Sequence, residues 1–210
     1  MNSASTTNPG HVVVPSRSAL VVVTSGYAVE AIGLIALLTI NGMSSVPPLA
    51  LIATIILIVA GFLLPTGGFL ALRTGFDRTH PSVRSSLLLQ GSGLVVLLLG
   101  VVVAVGLNSL SGFMIGTVFL VPSAASALMG AILLLKNYAS IGWLNPREAI
   151  YLVLGTALIF SGVGVIMASN IVFFYLISGI ANEIYTDAGA TISAIGCVVA
   201  AYSFFEVHRH

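Results

Sequence analysis

From Ser85 to Leu135 the chain carries no charged side chain, and between Arg17 and Arg73 it carries one, Glu30. Stretches of that length cannot coat a water-soluble domain, in which roughly a quarter of all residues are charged. Across its 210 residues the chain is 58% hydrophobic and 6% charged. The solvent around most of it must therefore be lipid, and an apolar run of about 20 residues is long enough to cross a bilayer core as a helix. The expected fold is an all-α polytopic membrane bundle of six transmembrane helices. The net charge of +1 gives no reason to expect nucleic acid as a partner.

Punctuation places the spans. The first runs roughly from Arg17 to Ile40, the second from Leu49 to Arg73, the third from Ser85 to Leu107 and the fourth from Gly112 to Lys136. Asn41-Gly42 and Pro47-Pro48 mark the first turn, and polar loops run from Thr74 to Arg84 and from Asn137 to Glu148. The fifth span starts near Ala149 and the sixth ends near Phe205. Between them the uncharged run from Ala149 to Ala181 exceeds one normal span. Residues 170–186 therefore read either as an interfacial segment, with Phe173, Phe174 and Tyr175 at headgroup depth, or as part of a long fifth helix. Residues 1–16 and 207–210 are polar tails flanking a transmembrane domain, 17–206. The first apolar run is too long for a signal-peptide core and reads as a retained span.

The basic residues set the orientation. They lie before the first span (Arg17), in the second loop (Arg73, Arg78, Arg84), in the fourth (Lys136, Arg147) and after the last span (Arg209). The first, third and fifth loops have none. Basic residues stay on the cytoplasmic side, so an even number of spans in the plasma membrane, with both termini in the cytoplasm, is expected.

A repeat of helical hairpins is legible in the glycines. Gly26 and Gly33, Gly93 and Gly100, and Gly155 and Gly162 are each seven apart, on one face of the odd-numbered spans. In the even spans Pro65-Thr66-Gly67-Gly68 matches Pro122-Ser123-Ala124-Ala125, and Thr186-Asp187-Ala188-Gly189 opens the sixth span in a related way. Membrane helices associate through small residues rather than through hydrophobicity. Gly112 with Gly116, Gly189 with Ser193 and Cys197, and Gly67 with Ala71 and Gly75 extend that set of packing faces, for use within the chain or against a partner subunit. Pro65 and Pro122 are expected kinks, or alternatively the breaks of a transporter's discontinuous helices.

Few residues could carry chemistry. Glu30 lies deep in the first span and should face the bundle or hold a proton, which suggests proton or cation handling, or a neutral acid hydrogen-bonded to a hydroxyl. Glu183 and Asp187 form an acidic patch at the outer face, able to share a cation or simply to be solvated. His11, His80, His208 and His210 all fall in loops or tails, so a haem held between spans has no histidine. Cys197 is the lone cysteine and has no disulfide partner. No metal set, cofactor motif or catalytic constellation is spelled out. Three readings remain, in this order. The first is a non-catalytic subunit or scaffold of a larger membrane complex, respiratory or redox in kind, whose partners are lipid and other membrane subunits. The second is a small transporter or channel using Glu30. The third is a membrane enzyme.

Overall fold

The computed structural model describes residues 16–43, 45–76, 80–107, 109–141, 144–176 and 179–209. Within them every regular element is a helix: α1 (Arg17–Asn41), α2 (Pro48–Thr74), α3 (Pro81–Leu107), α4 (Leu110–Lys136), the single turn α5 (Tyr138–Ile141), α6 (Pro146–Leu176) and α7 (Gly179–Arg209). All but α5 are long and apolar enough to cross a membrane, so six spanning helices stand in the structure as in the sequence.

The helix starts differ from the expected ones for a common reason. Proline lacks the N–H that an interior helical position needs, but the first turn has no use for that donor. Pro48 occupies the first turn of α2. Pro81 likewise begins α3, four residues before the expected Ser85, and carries Arg84 into the helix. Pro146 begins α6, so Arg147 and Glu148 belong to the helix and not to the loop. There the Asn145 backbone N–H donates to Glu148 Oε2 at 2.8 Å and Asn145 Nδ2 donates to Glu148 Oε1 at 3.0 Å. That is the carboxylate half of a capping box. At α4 the Gly112 N–H donates to Ser109 Oγ at 3.1 Å, which sets the helix start at Leu110.

The ambiguity at 170–186 resolves in the backbone. Residues 170–176 continue α6, as a long fifth span requires, but residues 179–186 belong to α7, so the segment is divided between the two helices. Pro65 and Pro122 lie inside α2 and α4, and neither helix is interrupted there. The reading of these prolines as breaks in discontinuous helices is corrected accordingly.

Consecutive spans pack as antiparallel hairpins, α1 on α2, α3 on α4 and α6 on α7. Contacts of α2 with α3, α4 with α6 and α7 with α1 give a closed cyclic order. In the most apolar window of each span, α2 and α4 have 28% of residues buried, against 44–50% for α1, α3, α6 and α7. The outer member of each of the first two hairpins thus faces mainly outward. Its exposed side chains, Leu49, Ile56 and Leu63 on α2 and Met114, Val118 and Val121 on α4, meet the surrounding lipid.

The hairpins share one packing register along their first helices. Gly26 of α1 lies against Pro65 of α2, Gly93 of α3 against Ala127 of α4, and Gly155 of α6 against Gly196 and Ala200 of α7. Two turns on, Gly33 meets Ile58, Gly100 meets Gly116, and Gly162 meets Gly189. On the second helices, Gly26 faces Pro65, and the equivalent Gly93 faces Ser123, next to Pro122, together with Ala127. The proline-plus-small-residue strings of α2 and α4 thus both reach the first glycine of the preceding helix.

Candidate functional site

The close glycine contacts determine what reaches the centre of the bundle. A Cβ added at Gly61 of α2 would lie 2.5 Å from Glu30 Cα, so α2 approaches α1 to backbone contact beside the carboxylate. Glu30 is 1% exposed. The same face of α1 presents Val23 and Tyr27, one turn apart, both fully buried. The matching faces of α3 and α6 present Gln90 and Leu94, and Leu152 and Thr156, again fully buried.

Three of these inward positions, Val23, Leu94 and Leu152, are apolar, and the others gather together. Gln90 Nε2 donates to Thr156 Oγ1 at 3.0 Å, joining α3 to α6. The Tyr27 hydroxyl lies beside the Gln90 amide, and Glu30 and Cys197 are in its surroundings. The Cys197 thiol of α7 is in hydrogen-bonding contact with the Glu30 carboxyl. Four helices thereby contribute to one polar layer. Three of its oxygens, Glu30 Oε2, Tyr27 Oη and Gln90 Oε1, are buried without a hydrogen bond of standard geometry among the described residues. A buried polar atom left unpaired costs about 1–3 kcal/mol, which makes three in one layer unusual.

An aromatic column flanks this layer on one side. Tyr27 meets Phe69 edge-on at 6.4 Å, and Phe69 meets Phe204 at 5.6 Å. Phe69 and Phe204 are at most 1% exposed and separate the polar layer from the end of the bundle at which Arg17, Arg73, Arg84, Lys136 and Arg147 are found. Arg209, at the last turn of α7, falls at the same end. Arg78, His11 and His210 lie outside the described residues. His80 sits at that end too, edge-on to Phe76 at 6.4 Å. A cleft of about 470 Å³ opens there between α6 and α7, lined by Arg147, Glu206, Tyr151 and Tyr202 among others.

At the opposite end Asn41 Nδ2 donates to Asp187 Oδ1 at 3.2 Å, tying the last residue of α1 to α7. Asp187 is half-buried by this contact, and Glu183 is exposed. Among the described residues no group of three or more His, Cys, Asp or Glu is arranged to hold a metal ion.

The small residues are largely engaged inside the chain. A Cβ at Gly26, Gly33, Gly93, Gly100, Gly112, Gly116, Gly155, Gly162 or Gly189 would come within 3.0 Å of neighbouring atoms. The exception is on α2, where Gly67, Ala71 and Gly75 are exposed and Gly67 has nothing within 4 Å of an added Cβ.

Sequence reasoning found Glu30 and passed over its neighbours. Gln90 is the only glutamine in the chain and sits within a charge-free apolar run, a signal that was available. Tyr27 and Thr156 each follow the first glycine of a Gly-x6-Gly pair, so the repeat itself points to them. No protein-family model, curated protein or solved structure matches the chain. Fold and composition together define its class, a multi-pass α-helical membrane protein.

Proposed function

We propose that the chain is a small membrane carrier that moves a proton or another cation, with Glu30 as its coupling group. One observation carries this reading: a lone carboxylate in the middle of a spanning helix, 1% exposed, with an unpartnered oxygen and polar side chains of three other helices around it. Ionisable groups inside a membrane are expensive and face a pathway or a partner. Purely structural helices would do better with leucine, as the equivalent positions Leu97 and Ile159 do. Carriers commonly place such a group near the midplane, between repeated units. By the positive-inside rule the end bearing the arginines faces the cytoplasm, with both termini there and the chain in the plasma membrane. Reconstitution into liposomes tests the reading. Cation or proton flux is expected from the native chain and is lost in Glu30→Gln; equal flux from both removes Glu30 from any pathway.

A second reading, the subunit of a larger membrane complex, is favoured by the open stripe Gly67, Ala71 and Gly75 on α2. Co-purification of stoichiometric partners in mild detergent, abolished by Gly67→Leu, is what that reading expects.

A further inference from the structure

We infer that the cleft between α6 and α7 holds the headgroup of one zwitterionic phospholipid, its phosphate on Arg147 and its ammonium on Glu206, beside the rings of Tyr151 and Tyr202. Glu30 and the carrier reading play no part in this. The cleft lies at headgroup depth: the apolar window of α6 opens at Pro146, next to Arg147, and that of α7 closes at Val207, next to Glu206. Its volume, about 470 Å³, is that of an ordinary small-molecule site. Toward the middle of the bilayer the same helix faces turn apolar and stay open. Tyr151 and Leu154 share a face of α6, Tyr202, Val198 and Ile195 share one of α7, and all five are exposed. A lipid seated by its headgroup would lay its acyl chains along that surface, which a water-soluble ligand would leave unused.

Charge selects the kind of lipid. Three charged side chains line the cleft, Arg147, Glu148 and Glu206. Glu148 is buried and accepts hydrogen bonds from Asn145 on both oxygens, so Glu206 is the carboxylate left to a ligand. Among the described residues no ion pair joins Arg147 to Glu206. An acid and a base held apart in one cleft complement a molecule that carries both signs, whereas a purely anionic headgroup meets two carboxylates and one guanidinium. The arginine fork matches a phosphate. Tyr151 and Tyr202 meet edge-on at 5.6 Å, and aromatic faces attract an alkylammonium. Interfacial tyrosines alone are ordinary membrane anchors; here they stand between an acid and a base. The other two hairpins lack this combination, since α2 and α4 end on basic residues, Arg73 and Lys136, where α7 carries Glu206.

The full chain, stripped of lipid in detergent, supplies the test. It is incubated with mixed micelles of equal parts phosphatidylethanolamine, phosphatidylcholine and phosphatidylglycerol, and retained lipid is counted by native mass spectrometry. One zwitterionic lipid per chain is expected, preferred over phosphatidylglycerol roughly tenfold, the scale of one hydrogen bond to a charged group. Arg147→Ala should lower its retention by a similar factor, and Glu206→Ala should bring the preference close to parity. Glu206→Lys makes the cleft cationic and should move the preference to phosphatidylglycerol, a gain that an unfolded chain could not show. Thermal unfolding of each variant separates loss of binding from loss of fold. Equal retention of the three lipids by the native chain overturns the inference, as does a preference unmoved by Glu206→Lys. Glycerophosphoethanolamine, the same headgroup without acyl chains, is the competitor. Failure to displace the lipid in large molar excess supports a lipid site, and displacement at a concentration equal to the lipid's assigns the cleft to a soluble ligand and overturns it.

Discussion

At the scale of single residues, the contrast between two kinds of glycine is the most direct check on the packing. Gly162 lies against Gly189 and Ser193 of α7, where a side chain has no room. Gly162→Leu is expected to destabilise the protein by about 1–3 kcal/mol or more, the usual range for overpacking, as a lower unfolding midpoint in detergent. Gly67 faces open space, so Gly67→Ala should leave that midpoint unchanged or raise it slightly, since alanine is favoured by about 1 kcal/mol in a helix. Equal effects of the two would contradict the contacts described. Cys197 is fully buried against α1. A maleimide should therefore leave it unmodified in the folded protein and label it after denaturation. Glu30 was readable from sequence because a charge in an apolar run announces itself. Gln90, Tyr27 and Thr156 carry weaker signals, a single glutamine in an apolar run and two positions next to a repeated glycine; that they meet is set by helix packing and by no local pattern.

At the scale of helices, the caps explain both what was legible and what was missed. The body of every span followed from its apolar run, but the start of α6 did not. Asn145-Pro146-Arg147-Glu148 contains an N-cap residue, a first-turn proline and a third-position acid, a helix-start signal that two charged residues disguised as loop. Asn145→Ala removes the side-chain half of that cap and should cost about 1 kcal/mol, measured as reduced thermal stability. Glu148→Ala removes both hydrogen bonds and should cost more than Asn145→Ala, and the double variant should lose little more than Glu148→Ala alone. The even-numbered helices teach a related lesson. Similar short strings in α2 and α4 suggested equivalence, and both reach the first glycine of the preceding helix, though in α4 it is Ser123 and Ala127 rather than Pro122 that meet it. A small-residue string is common in membrane helices, and only the opposing surface decides its register.

At the scale of the whole molecule, the cyclic arrangement of three hairpins places every described basic helix end on one side. Cysteines introduced at Arg84 and Arg147 should react with an impermeant maleimide from the same face of sealed vesicles, and one at Glu183 from the other. The buried native thiol makes removal of Cys197 unnecessary for this measurement. Labelling of Arg84→Cys and Arg147→Cys from opposite faces would refute the arrangement.

The ring of helices closes where α7 meets α1 and α6 meets α4, so the last hairpin completes contacts begun by the other two. A chain cut after α4 would leave the flanks of α1 and α4 that α7 and α6 cover open to lipid or to another protein.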